Sequence, residues 1–202
     1  IKLKSELMSK LEAKGLKKLY NEIELPLIDV LYDMERIGFT VDRNTLSTMS
    51  KELNARITSL EADIYECAGE KFNILSTKQL GTVLFEKLGL PPAKKTKTGY
   101  STDSEVLEGL YNMHPIVPMI LEYKTLTKLC STFIDGLLPL IDKQGRVHTR
   151  FNQNVTATGR ISSTEPNLQN IPVRTQLGRE IRKAFVASEG RVLVDADYSQ
   201  IE

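Results

Sequence analysis

Cysteine and histidine are scarce in this chain of 202 residues, with two of each. Cys67 and Cys130 stand far apart and outside any CxxC, which excludes a disulfide framework or a cysteine-built zinc site and fits small apolar side chains in helix cores of a reducing compartment. His114 and His148 are equally isolated, which argues against a nitrogen-rich metal centre. Long hydrophobic runs are missing as well. The greasiest stretch, "FIDGLLPLI", is broken by Asp135 and Pro139 and closed by Asp142, far short of the roughly 18 to 20 apolar residues of a membrane span. The chain begins at Ile1 rather than Met, and "IKLKSELMSKLEAKG" interleaves charge with Leu3, Leu7 and Leu11 where a signal peptide has an apolar core. These absences lead to the expectation of a soluble, cytoplasmic protein with no membrane partner, cut at both ends from a longer chain.

What is present argues for folding. At 41% hydrophobic residues the chain can bury a substantial core. The net charge of +1 conceals an asymmetry. Lys143, Arg146, Arg150, Arg160, Arg174, Arg179, Arg182 and Lys183 face only Glu165 and Glu180 between positions 143 and 183. That stretch is either a phosphate-binding surface or a solvated face compensated by acids elsewhere.

Periodicity predicts helices first. Pro26 is placed to open one, with Leu27, Val30, Leu31, Met34 and Ile37 on an apolar face and Gly38 at its end. "FTV" reads as a short extended link. After Asp42, an N-cap candidate, Leu46, Met49, Leu53, Ile57, Leu60, Ile64 and Cys67 recur at three- and four-residue spacings, a long helix with a coiled-coil-like seam. A second seam runs through Met119, Tyr123, Leu126, Cys130, Phe133, Leu137 and Leu140, and the two are expected to face each other. Between them a short helix is capped near Ser76, a basic loop "PPAKKTKTGYSTDS" follows, and a helix passes through Val106 and Leu110. From Gly145 the texture changes. "RVHTRFN" alternates like a strand, the polar stretch from Gln153 to Arg174 has no helical period, and "RVLVDAD" reads as a buried strand. A loop that long is usually functional. The fold class expected is α+β, mostly helical: a long antiparallel helical hairpin followed by the beginning of a β-sheet.

On a strand, the two-residue period puts Asp195 and Asp197 on one face. Paired carboxylates there suit a hard divalent cation, and they equally suit a turn or a solvated edge. The pattern around them is more specific. "TATGRISSTEPNLQNIPVR", Thr156 to Arg174, with "DYSQIE", Asp197 to Glu202, closely resembles the family A DNA polymerases, the bacterial DNA polymerase I type. "ELPLIDVLYDMERIGFTVD" and "KKTKTGYSTDSEVL" resemble the same family, so the likeness covers essentially the whole chain.

The resemblance implies a helical lead-in at 1–41, a thumb at 42–142 with a basic tip, and the N-terminal part of a palm at 143–202. It implies that Asp197, with the Tyr198 carbonyl, binds the catalytic metals, two Mg2+ ions in the full-length parent and none in the fragment. Asp195, outside the family motif, only adds negative potential. Tyr198, Ser199, Gln200, Ile201 and Glu202 would surround the incoming deoxynucleoside triphosphate, with Glu202 excluding a 2′ hydroxyl. Arg160, Asn167, Gln169 and Asn170 would line the minor groove of a primer-template duplex. Lys94, Lys95, Lys97, Ser101 and Thr102 at the tip, and Lys128, Ser131 and Thr132 nearer the primer, would meet DNA backbone. A single-subunit RNA polymerase is disfavoured by Glu202. The family's fingers helix and its second catalytic aspartate lie beyond these residues, so the fragment is expected to be monomeric and inactive by itself, within a nucleoid-associated parent enzyme. The alternative is a freestanding nucleic-acid-binding or interaction module built on a helical hairpin.

Overall fold

The computed structural model describes residues 2–92, 95–96 and 99–197, with backbone only for Lys2, Lys95 and Thr96. It is α+β and mostly helical, its strands short and paired in three antiparallel two-stranded ladders. The chain divides into two compact units, residues 44–139 and residues 1–43 with 140–202.

In the first unit, helix α4 (Arg43–Ala68) and helix α7 (Ile116–Phe133) form the expected hairpin. They run antiparallel: Ser50, Asn54 and Arg56 of α4 meet Asp135, Cys130 and Glu122 in that order. The seam is sealed at its ends and thinner between. Leu46, Leu60 and Ile64 are buried, whereas Met49, Leu53 and Ile57 are half-buried. The far end is closed by α5 (Thr77–Gly81), a π-helical turn (Thr82–Lys87) and α6 (Ser104–Gly109). Leu80, Leu84, Leu107, Ile116 and Ile120 form its centre. Burying each such side chain contributes about 1.5–3 kcal/mol before the entropy of ordering it. Ser76 caps α5 through the Gln79 N–H, as its position predicts. The second seam needs correction. Helix α7 ends at Phe133, its buried face also takes in Ile116, Val117, Ile120 and Leu129, and Leu140 lies exposed in a following 3-10 turn. A small hairpin of β2 (Lys95–Thr96) and β3 (Gly99–Tyr100) is anchored at Tyr100, whose ring lies 4.9 Å from that of Phe85.

The second unit holds α1 (Lys2–Ala13), α2 (Lys17–Leu19), a π-helical turn (Tyr20–Glu24) and α3 (Leu25–Ile37). Pro26 lies in the first turn of α3, but helical chain already precedes it. The expected apolar face exists in register yet only Leu31 is buried; Val30, Met34 and Ile37 stay exposed because nothing among the described residues covers them. Gly38 ends the helix, and β1 (Phe39–Thr40) pairs with β4 (Arg146–Val147). Val41 bridges to Phe185, just beyond α8 (Gln176–Lys183). The alternating "RVHTRFN" divides into β4 and β5 (Arg150–Asn152), and β5 pairs with β6 (Ser162–Thr164). Helix α8 was not legible from periodicity: Thr175 caps it, but Leu177, Ile181 and Ala184 are a thin apolar stripe interrupted by Gly178.

The buried strand expected at "RVLVDAD" does not form. Residues 191–197 make no ladder, and Val192 and Val194 are 79% and 82% exposed. A strand exists only by pairing, and no described neighbour reaches this one.

Gly38 carries a specific constraint. Its φ of 66° and ψ of −174° belong to a region that only glycine occupies readily, and a Cβ there would lie 2.7 Å from both His148 Nδ1 and the Val147 carbonyl. Gly38→Ala should therefore destabilise the fold by about 2 kcal/mol or more, lowering the urea midpoint at unchanged m-value. An unchanged midpoint would mean that the turn relaxes without cost.

Candidate nucleic-acid interface

The polar stretch that lacked a period is organised by two buried hydroxyls. Thr149 Oγ1 and Ser163 Oγ lie 2.6 Å apart, 8% and 1% exposed as residues. The Leu168 N–H donates to Ser163 Oγ at 3.1 Å, and Thr149 Oγ1 reaches the Pro166 carbonyl at 2.7 Å. With Ser163 donating to Thr149, a single chain of donors runs from Leu168 to Pro166 and leaves no proton unused.

Around this knot the outer residues take their places. Gln169 Oε1 accepts from the Ser163 N–H at 3.1 Å and its Nε2 donates to the Ile161 carbonyl at 2.9 Å, so one amide lies along β6 as another strand would. Asn167 Oδ1 accepts from the Gln169 N–H at 3.0 Å, a local Asx turn that directs its amide group outward. Arg160 and Asn170 are exposed, and the Thr156 hydroxyl donates to the Arg160 carbonyl. Beyond them, Arg182 Nη2 donates to the Ile171 carbonyl at 3.1 Å and ties the segment's end to α8. The knot brings Asn167, Gln169 and Asn170 together on one scaffold, with Gln169 spent on positioning.

The basic stretch is less uniform than its charge implies. Arg146 donates to the Ile37 and Gly38 carbonyls at 3.0 and 3.1 Å and to Ser188 Oγ at 2.7 Å, which locks the end of α3. Arg179 binds the Arg174 carbonyl and Gln176, and Lys183 binds Glu180. Arg150 pairs with Glu165 at 3.4 Å. Much of the charge is thus structural.

Lys128, Ser131 and Thr132 lie exposed along the last turns of α7. Ser101 and Thr102 are buried instead. Ser101 Oγ donates to Asp103 Oδ2 at 2.6 Å, Asp103 Oδ1 caps α6 at the Val106 N–H, and the Thr102 carbonyl accepts from Lys124 Nζ at 2.8 Å. Burial pushes the Lys124 ammonium below its ordinary range, as desolvation of a charge requires. Lys94, Lys97, Tyr198, Ser199, Gln200, Ile201 and Glu202 lie outside the described residues, as does the Lys95 side chain. Asp195 and Asp197 are exposed, outside any helix or strand. Their carboxylates have the hardness Mg2+ favours, but among the described residues no three His, Cys, Asp or Glu converge on a possible metal position. The fit is that of a contributor to a larger ligand set.

His148, which sequence reasoning left as a lone histidine, proves to be a brace for β5. Its Nδ1 lies 2.8 Å from the Glu35 carbonyl and its Nε2 3.1 Å from Asp142 Oδ2, while Glu35 Oε1 accepts from the Phe151 N–H at 2.6 Å. Two acceptors around one ring favour the imidazolium. The Glu35 carbonyl first, then Asp142, raise the His148 pKa above 6.5. Asp142 is held below its ordinary value, chiefly by the Arg146 N–H and then by His148. Because the folded pKa of His148 is the higher one, its stabilisation is complete below pH 6.5 and is lost as pH rises through the folded value. Thermal melts should accordingly show stability declining above pH 6.5, with the decline flattened in His148→Gln. An identical profile in the variant would remove His148 as the cause.

With this geometry in hand, the chain can be set beside known proteins. A family model described as DNA polymerase family A matches residues 43–202. The DNA polymerase I of Caldicellulosiruptor bescii is 55% identical over 202 residues, 100% of this chain and 24% of its own length. That of Bacillus subtilis is 53% identical over 99% of this chain and 23% of its own. The thermostable enzyme of Thermus aquaticus is 56% identical over 91% of this chain and 22% of its own. A solved structure, the POL domain of Pol1 from M. smegmatis in complex with DNA primer-template and dNTP, superposes with a TM-score of 0.87 at 44% identity, covering 91% of this chain and 33% of that one. The chain belongs to DNA polymerase family A, and it spans about a quarter of the length of the curated relatives it matches.

Proposed function

We propose that this chain is the duplex-holding part of a template-directed DNA polymerase: lead-in 1–41, thumb 42–142 and the start of the palm 143–202. The observation that carries the reading is the exposed polar segment from Thr156 to Asn170, fixed on the Thr149–Ser163 knot, in a chain that superposes on a polymerase domain described with primer-template and dNTP. Arg160, Asn167 and Asn170 supply donors to the minor groove. Acceptors there differ little between base pairs, so donors test pair shape without demanding a sequence. Gln169 joins them through its backbone placement of Asn167 rather than through its own amide. Lys128, Ser131 and Thr132 meet phosphates, which set register. At the tip the lysines Lys94, Lys95 and Lys97 carry the charge; Ser101 and Thr102 hold the loop's base.

Asp197 and the Tyr198 carbonyl would hold Mg2+, which when bound activates a hydroxyl nucleophile and stabilises charge on departing pyrophosphate. Asp197 would supply its carboxylate to the metal, and Asp195 adds negative potential beside it. Ser199, Gln200, Ile201 and Glu202 would surround the nucleotide, Glu202 against its sugar. Asp197 by itself does not complete a two-metal site, so residues 1–202 bind duplex as a monomer and do not polymerise alone.

Two outcomes test this. Labelled primer-template titrated at several salt concentrations should bind with little sequence preference, log Kd rising with log salt by about 0.9 per phosphate neutralised. A salt-insensitive or sequence-selective isotherm would contradict the reading. In a chain carried to the length of its relatives, Asp197→Ala should abolish Mg2+-dependent nucleotide incorporation while Asp195→Ala does much less; near-normal turnover in the first variant would remove Asp197 from the metal site.

A further inference from the structure

Four side chains, two from α4, one from α7 and one from the turn after it, meet where α7 ends. Asp135 Oδ1 accepts from Ser50 Oγ at 2.6 Å, and Asp135 Oδ2 accepts from Cys130 Sγ at 3.3 Å and from Asn54 Nδ2 at 3.4 Å. Asn54 Nδ2 also donates to the Ser50 carbonyl at 2.9 Å, which keeps the two α4 residues in step. The backbone beside the carboxylate is fixed independently. The Asp135 and Ile134 N–H groups both donate to the Cys130 carbonyl, at 2.8 and 3.1 Å. At Gly136 a Cβ would lie 2.7 Å from the Ser131 carbonyl and 2.8 Å from that of Thr132, so this turn packs directly on the last turn of α7.

Electrostatics alone argues against an acid at this place. A negative charge at a helix C-terminus opposes the helix dipole, and one three residues from Thr132 repels the phosphates proposed to bind there. What the carboxylate offers in return is acceptors for three donors at once, which neither an amide nor an alcohol provides. The donors in turn hold Asp135 below its ordinary pKa, Ser50 foremost, and the Cys130 thiol, pushed up to about 11 by burial and by Asp135, remains a protonated donor.

We propose that Asp135 is a positioning residue for duplex binding: braced by Ser50, Asn54 and Cys130, it fixes the last turn of α7 against α4 so that Lys128, Ser131 and Thr132 meet phosphates together. The proposal rests on the reading of α7 as a phosphate-contacting helix. It distinguishes itself from simple charge effects by sign.

The test uses the 202-residue chain and a labelled primer-template duplex. Asp135→Ala removes a negative charge and should nevertheless weaken binding by about three- to tenfold, with the logarithmic salt slope reduced by up to about one phosphate contact. Ser50→Ala, which leaves every charge in place, should weaken it in the same direction, and the double variant should bind no worse than Asp135→Ala, as expected of residues acting through one bond. Ile64→Val, a core change in the same unit, is the control: at a comparable loss in melting temperature it should leave affinity and salt slope unaltered. Equal or tighter binding by Asp135→Ala, an unaltered Ser50→Ala, additive losses, or a matching loss in Ile64→Val would overturn the proposal. Lys128→Ala separates the two levels. If it weakens binding while Asp135→Ala does not, only the positioning role falls; if Lys128→Ala changes nothing, the phosphate-contacting reading of α7 falls and takes this inference with it.

Discussion

Thr149 and Ser163 place two hydroxyls side by side in a buried site, and a buried hydroxyl is tolerable only when its proton and lone pairs are used. Here they are used in sequence, from the Leu168 N–H through both oxygens to the Pro166 carbonyl. That chain of bonds gives a long polar segment one conformation without a hydrophobic core of its own. Asn167 and Asn170 can then point outward because the backbone that carries them is already satisfied inward.

The same division between holding and presenting recurs elsewhere. Arg146 and Arg182 spend their guanidinium groups on backbone carbonyls, and Lys124 gives its ammonium to Thr102. Asp103, held by the Ser101 hydroxyl, caps α6. In the helical hairpin the apolar seam closes its two ends, and the polar brace at Asp135 lies where α7 stops. Electrostatic attraction to a polyanion needs only charge, whereas register needs charge held at fixed spacing. In the reading proposed above, the structural residues provide the second.

Legibility followed periodicity. The three- and four-residue spacing from Leu46 to Ile64 announces α4, Ser76 announces the cap of α5, and Gly38 announces the end of α3, because each signal is local. Family membership was legible in "TATGRISSTEPNLQNIPVR" and "DYSQIE". Helix α8 escaped because three apolar positions and a glycine make too weak a stripe. The knot escaped because Thr149 and Ser163 are fourteen residues apart and hydroxyl pairing has no period. Gln169 looks like a groove-reading amide in sequence, and only its distances to Ser163 and Ile161 reveal its backbone role. The apolar run from Val192 to Val194 predicts a buried strand by composition, and that strand does not form, because pairing is a property of neighbours and the described residues offer none.

The central proposal is that duplex DNA is received by the segment held by the hydroxyl knot and by the last turns of α7, each within its own unit. Amide hydrogen exchange with and without saturating primer-template, at low salt, tests it most directly. The account predicts added protection in residues 156–170 and 128–132, with α1 and α3 unaffected. Protection confined to the exposed apolar face of α3, or no change at residues 156–170 under conditions where duplex is bound, would contradict it.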